Sequence, residues 1–370
     1  MDKKLRSIDI IKGIGIIMII ITHNRHFIMQ DMSVIWFLIN FGQMGCQLFF
    51  FASRFSLCYA WEHMDPSRPR ALRFILRRYL RLAPGFLIFM MVNLALNILL
   101  MDILHFPPGF IMNREPRAML TNALFLHGLF PDYVNNGFPG GWYIGTAFLL
   151  YITFPLLYGI LRRLHAIHPL CMTAVPALLF VSNLILQYQI SGLSGNSLPV
   201  GNSTFLYYLF TNQLPCFCLG ILLFFRKERT QMPPALSTAL FITFTGICVC
   251  LYVYPPTPYI FTALPTIAGL AAYWLAAALL RIEQRRPPDS PASRFLADCG
   301  RNSYGMYLCH SLVCWYGMKA VTHLLTQNGI AYNDLLLYGL MFPPSVFAVY
   351  IMGSRIEKLL TRIDRRLRRI

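Results

Sequence analysis

Apolar residues fall into ten long runs, at about 8–22, 34–60, 82–101, 142–160, 169–188, 204–225, 236–254, 259–280, 303–321 and 334–352. Most approach the roughly 20 residues that a helix needs to cross a bilayer. An eleventh run, Ala118 to Phe130, is shorter and contains Asn122 and His127. The pattern predicts an all-α integral membrane protein, a bundle of about ten transmembrane helices joined by short loops. No stretch between the runs is long enough to hold a soluble core.

Composition supports this reading. Of 370 residues, 56% are hydrophobic and 13% charged, against about 25% charged in soluble domains. The mean hydropathy is +0.53. A net charge of +17 would suggest nucleic acid on a soluble protein. Here its placement argues instead for topology, and no nucleic-acid partner is expected. With ten spans and both termini cytosolic, 26 of the 32 Lys and Arg fall on the inner side. Four (Arg25, Arg114, Arg117 and Lys319) fall outside, and Lys12 and Arg54 lie within spans. Basic residues of short loops are retained on the cytoplasmic side, so this bias sets the orientation. Counting 118–130 as a span would invert everything after it. It is therefore expected to be a re-entrant or interfacial element in an external loop from about 102 to 141.

The first run follows Lys3, Lys4 and Arg6 but ends in Thr22-His23-Asn24-Arg25, without a small-residue cleavage site. An uncleaved signal-anchor is expected. The ten cysteines lie mostly inside runs, and no CxxC pattern occurs, so small buried hydrophobes are expected rather than disulfides or a metal site. Residues 281–302, around Pro288 and Pro291, read as a cytosolic linker. Beyond the membrane domain, 1–354, the tail 355–370 sets Ile356, Leu359, Leu360, Ile363 and Leu367 at helical spacing against a basic face. That is the form of an amphipathic helix on an anionic leaflet.

Three polar constellations break the apolar runs. Lys12 and His23 lie eleven positions apart in the first, which at about 100° per residue puts them on one helix face, roughly 16 Å apart along the axis. Ionisable groups inside a membrane mark function by default; the alternative is a snorkelling lysine and an interfacial histidine. Arg70, Arg73, Arg77 and Arg81 form one basic helical stripe with Arg78 beside it, and Pro84 fits a turn into the membrane. Clustered guanidiniums suit a polyphosphate, which they grip bidentately; topogenic arginine in contact with lipid headgroups remains the other reading. In the ninth run Ser303, Tyr307 and His310 share a face. An imidazole at mid-membrane needs a partner, whether its role is structural or functional.

Taken in order, these residues resemble the membrane acyltransferase family 3. Arg6…Asp9-Ile10-Ile11-Lys12-Gly13…His23 is similar to its first-span signature. Phe49-Phe50-Phe51-Ala52-Ser53 resembles its FF-x-x-S stretch, Arg78-Tyr79-Leu80-Arg81 its R-x-x-R motif, and Ser303-Tyr304…Tyr307-Leu308…His310 its late S-Y-x-x-Y-L-x-H. The Asp9–Gly13 wording looks closest to the fucose 4-O-acetylase-like branch. The resemblance implies an O-acyltransferase of the bacterial inner membrane with no permanently bound cofactor. It would use acyl-CoA, usually acetyl-CoA, as co-substrate and a cell-surface or lipid-linked glycan as acceptor, with membrane lipids as neighbours. By the same resemblance His23 would be the general base or acyl carrier, with Lys12 adding positive charge along the passage. Arg78, Arg81 and Arg77 would hold the coenzyme A phosphates, and Asp9, Ser303, Tyr307, His310 and Trp142 would line the substrate path.

Two departures stand out. Ala147 occupies the place of a family glutamate after Trp142, leaving Asp9, Asp31 or Asp132 as candidate carboxylates. Arg54 follows Ser53 where glycine is usual, and Glu62 two turns on could pair with it. The loop from Asn135 to Gly141, with Asp132, Tyr133, Trp142 and Tyr143, is the expected acceptor surface, although Trp and Tyr at a membrane boundary also form the ordinary interfacial belt. Rival classes are a transporter or flippase for a polysaccharide precursor, which inverted repeats would favour, and an assembly subunit of an export complex.

Overall fold

The computed structural model describes residues 5–25, 34–65, 69–103, 110–193, 205–227, 232–253, 258–285 and 288–367. Lys3, Lys4 and Asp31 lie outside them. The described residues are helical and contain no strand. The helices are α1 (Arg6–His23), α2 (Val34–Asn40), α3 (Gly45–Glu62), α4 (Arg70–Asn97), α5 (Pro116–Ala123), α6 (Trp142–Ile167), α7 (Ala174–Leu193) and α8 (Phe210–Arg226). They continue with α9 (Pro234–Val253), α10 (Pro258–Arg285), α11 (Pro291–Arg301), α12 (Ser303–Ser311), α13 (Met318–Gln327) and α14 (Asp334–Leu367).

Among the described residues eight segments are long and apolar enough to cross a membrane, and they coincide with eight of the ten runs. The remaining two runs hold Lys12 with His23, and Ser303 with Tyr307 and His310. α1 holds Arg6, Asp9 and Lys12 within 18 residues. The ninth run is broken into α12, a π-helical turn at Leu312–Gly317, and α13. Residues 118–130 form the eight-residue α5 and a single 3₁₀ turn at His127–Leu129, too short to cross. Pro84 makes no turn: α4 runs unbroken through it from Arg70 to Asn97. A transmembrane helix tolerates an internal proline where its surroundings satisfy the freed carbonyl.

The chain divides into two compact units. The first comprises Met1–Gly15, Cys46–Leu76 and Thr146–Gly300. In its core Phe154 stacks on Phe74 at 5.0 Å and meets Phe217 edge-on at 6.3 Å. Arg54 is fully buried there. Its Nε donates to the Phe50 carbonyl at 2.6 Å, and its guanidinium lies 3.3 Å from the Phe217 ring centroid and 5.4 Å from that of Tyr151. Glu62, the partner expected for Arg54, accepts the Tyr158 hydroxyl at 2.8 Å. The aromatic faces against Arg54 suit a planar cation out of water. At one end of this unit the Glu283 carboxylate accepts the backbone N–H groups of Arg6 and Ser7 at 2.9 Å each, capping α1.

The second unit comprises Ile16–Gly45, Arg77–Gly145 and Arg301–Ile370. Ile39, Met318 and Tyr338 form one core cluster, packed with Ile21 and Trp36. The Tyr338 hydroxyl donates to the Ile21 carbonyl at 3.0 Å, and Ser345 donates to the side chain of Asn24 at 2.9 Å. These bonds fix the end of α1 against α14. α12 also packs on α14, through Gly305 and Gly353. A Cβ on Gly305 would fall 2.2 Å from the Gly353 carbonyl oxygen, so only glycine permits this approach. α14 continues without a break through Gly353 to Leu367, turning Glu357 and Leu360 inward and leaving Leu359 exposed.

Candidate functional site

α12 positions the site. Four-residue spacing sets Ser303 and Tyr307 on one line, and His310 follows one turn later on the same face. Ser303 sits half-buried at the helix start, whereas Tyr307 and His310 are buried. His310 Nδ1 is hydrogen-bonded to the Tyr307 carbonyl. A carbonyl only accepts, so the proton resides on Nδ1 and the Nε2 lone pair is left available. His310 Nε2 is buried and has no hydrogen-bond partner among the described residues.

His23, at the end of α1, lies beside it. The two imidazole centroids are 4.8 Å apart with their planes at 56°, and the Trp315 ring lies 6.3 Å from that of His23. The Tyr307 hydroxyl donates to the Gly140 carbonyl at 2.5 Å, and its ring lies 4.9 Å from that of Tyr143. Gly140 has φ +88°, a conformation that favours glycine. A Cβ there would meet Tyr307 Oη at 3.4 Å and His310 Cε1 and Nε2 at 3.5 Å. Two histidines, a tyrosine and a glycine turn thus share one buried locus, with half-buried His23 as its more accessible member.

The segment before α6 folds inward to support this locus. Phe125 adopts φ +58°, unusual for a bulky residue. Its ring is fully buried against Tyr79 and Phe86, which offsets that cost. The turn brings His127 onto the face of Phe86, 5.6 Å between centroids, with Nε2 donating to the Gly141 carbonyl at 3.3 Å. Burial pushes the His127 pKa down to about 4. Asn136, expected to face a sugar, is buried and joins two strands of the loop: its Oδ1 accepts the Asn113 N–H at 2.9 Å and its Nδ2 donates to the Asn113 carbonyl at 3.0 Å. Trp142 and Tyr143 are 6% and 8% exposed, so they are packed inside the protein rather than in an interfacial belt. Phe138 is likewise buried, and Asp132 is exposed. The polar amide surface expected of 135–141 is largely turned inward.

A second polar group gathers at the start of α12. Arg81 on α4 is ion-paired with Glu357 on α14, and its guanidinium lies 5.8 Å from the centroid of Tyr304. The Tyr304 hydroxyl donates to the Leu82 carbonyl at 2.6 Å. Glu357 also accepts the Gly305 N–H at 3.1 Å. Arg81 Nη1 is buried with no hydrogen-bond partner among the described residues. Arg77 is exposed and Arg78 half-exposed on the same helix. From Gly305 to His310 is five residues, about 7.5 Å along α12, so one short helix carries both groups.

The other expected residues fall in the first unit. Lys12 is half-buried, with Nζ donating to Ser56 Oγ at 3.3 Å. Asp9 is buried where α11 crosses α1, its backbone carbonyl against Gly300. Ala147 is buried and offers no polar group. Sequence reasoning missed Glu357, which it left inside a basic tail. The available signal was an acidic residue in helical register with Gly353 and Leu360, on the inward line of the last helix.

Together these features define a multi-pass helical membrane protein with a pair of histidines, one buried and one half-buried, at one locus and an ion-paired arginine at another. The family model described as an acyltransferase domain, acyltransferase 3, matches residues 5–353. The chain belongs to that family and is an acyltransferase. No curated protein and no solved structure matches it.

Proposed function

We propose that the enzyme transfers an acyl group, acetyl in the simplest case, from cytosolic acyl-CoA to a hydroxyl of a cell-surface or lipid-linked carbohydrate. The observation that carries the proposal is the His23–His310 pair: adjacent rings, one half-accessible and the other held in a single tautomer. In the proposed step the acceptor hydroxyl oxygen attacks the thioester carbonyl while His23 takes its proton. A C–O ester bond forms, the C–S bond breaks, and the proton passes to the departing thiolate to give free coenzyme A. Histidine suits this because its ordinary pKa lies near neutrality. The alternative order, in which His23 first accepts the acyl group itself, uses the same residues.

His310 orients the reacting group through Nε2, and Tyr307 fixes the Gly140 turn beside it. Arg81, with Arg78 and Arg77 at its flank, holds the donor's phosphates. Ser303 and Trp142 support the walls of the donor path. The charge asymmetry of the loops supports an orientation with the arginine end in the cytosol and the 102–141 segment outside, and the family resemblance supports a bacterial inner membrane. The Asp9–Gly13 wording favours a deoxyhexose hydroxyl as acceptor.

The test is radiolabelled acetyl transfer by the purified protein in proteoliposomes, with acetyl-CoA supplied on the Arg81 side and a surface-polysaccharide extract on the other. Hydroxylamine-labile label in carbohydrate is expected. Movement of intact saccharide without label transfer would contradict the proposal.

A further inference from the structure

We infer that Glu357 is a positioning residue that aims Arg81 at a phosphate of the acyl donor; the inference rests on the donor site proposed above. Glu357 is 9% exposed on α14, far from Arg81 in sequence. A buried ion pair repays its desolvation only when its geometry is good and its remaining hydrogen-bonding capacity is used. A purely structural arginine–carboxylate pair meets that demand most simply fork to fork, with both oxygens on both arms.

Here the fork is split. One Glu357 oxygen takes Arg81 Nη2, and the other is diverted to the Gly305 N–H in the first turn of α12. Nη1 is left buried and without a hydrogen-bond partner among the described residues. The Tyr304 ring, locked by its own bond to the Leu82 carbonyl, covers one side of the guanidinium. The close approach of Gly305 to Gly353 is what lets Glu357 reach that N–H. The guanidinium is therefore oriented by a carboxylate and an aromatic face, with one strong donor left unsatisfied. A phosphate oxygen brought against the guanidinium satisfies that donor. Glu357 thus acts on donor affinity through Arg81.

The readout is the kinetics of the full-length enzyme in proteoliposomes with two donors, acetyl-CoA and the phosphate-free thioester acetyl-pantetheine. Glu357→Gln keeps the side-chain length but loses the charge and one of the two acceptor oxygens, so Arg81 and the Gly305 N–H no longer each have their own. The KM for acetyl-CoA is expected to rise on the order of tenfold, the effect of misplacing one charge-assisted hydrogen bond. kcat should stay within about threefold, and acetyl-pantetheine kinetics should not change. Glu357→Asp keeps the charge one methylene short; it should show the same donor-selective rise, and it carries the test if Glu357→Gln does not insert. A rise shared by both donors, or none with either, would overturn the inference and return the pair to a structural role. A wild-type enzyme indifferent to the phosphates overturns the donor site itself. A wild-type preference for acetyl-CoA that survives intact in both variants overturns the role of Glu357 alone.

Discussion

Replacing Gly140 by alanine separates backbone strain from obstruction of the histidine locus. Gly140 and Gly137 have nearly the same left-handed backbone, φ +88° and +92°. A side chain in that region costs roughly 1–2 kcal/mol at either position. The Gly140 methyl would sit 3.4 Å from Tyr307 Oη and 3.5 Å from His310 Cε1 and Nε2, ordinary contacts that add no clash. It would, however, cover the side of His310 whose nitrogen is open. The Gly137 methyl would sit 3.0 Å from Asn122 Oδ1, a tighter contact away from the histidines, so this variant is destabilised at least as much. Proton transfer by a positioned histidine contributes about 10²–10⁴-fold. Partial obstruction should therefore lower kcat/KM by at least about tenfold in Gly140→Ala, or about 1.4 kcal/mol of transition-state stabilisation. Gly137→Ala should stay within about twofold per folded molecule. Thermal unfolding in detergent and acetyl transfer in proteoliposomes, measured on the same preparations, give both quantities. Equal activity losses in the two variants, or full activity in Gly140→Ala, would refute the placement of the reacting groups at His310.

Three further outcomes are expected. Arg81→Lys keeps the charge but loses the planar fork, so the KM for acetyl-CoA should rise about tenfold without a change in the acceptor KM, while Arg77→Lys, at an exposed flanking position, should raise it by a smaller factor; the reverse ranking would move the donor site. His127 has a folded pKa of about 4 against an ordinary 6.5, so its contribution to stability is complete above pH 6.5 and is lost as pH falls toward 4. His127→Gln should flatten that acid limb of a thermal-melt series, and parallel limbs for variant and wild type would show that another group sets it. On a cysteine-depleted background, Asp132→Cys should react with an impermeant reagent in intact cells and Ser290→Cys should not, both positions being exposed; the opposite pattern would invert the topology.

What the sequence made legible was local. Spans follow from apolar run length, and the faces of α1, α4 and α12 follow from helical periodicity, so Ser303, Tyr307 and His310 fall where their spacing puts them. The two runs that miss the length-and-apolarity standard do so because α1 carries three charges and the ninth run is diluted by polar residues such as Ser303, Tyr307, His310 and Lys319. Pairing between distant segments was not legible. Nothing in a one-dimensional pattern marks Glu357, among seven Lys and Arg of the tail, as the partner of Arg81. Arg54 suggested a carboxylate because ion pairing is the common solution for a buried cation, and no spacing rule marks the aromatic faces that lie against it. Trp142 and Tyr143 suggested a membrane boundary because aromatics concentrate there. The inward fold of residues 116–141, which buries them, depends on turns at Phe125 and Gly140 whose dihedrals composition does not specify.

The central claim is that the His23–His310 pair is where the acyl group is transferred. The most direct measurement is acetyl transfer from acetyl-CoA by wild type, His23→Ala, His310→Ala and the double variant, each shown to be inserted and folded. Residues acting as one unit are strongly non-additive. Each single variant should lose at least about 10²-fold in kcat, and the double variant should be no worse than the poorer single. Wild-type turnover in either single variant, or losses that simply multiply in the double, would contradict the claim.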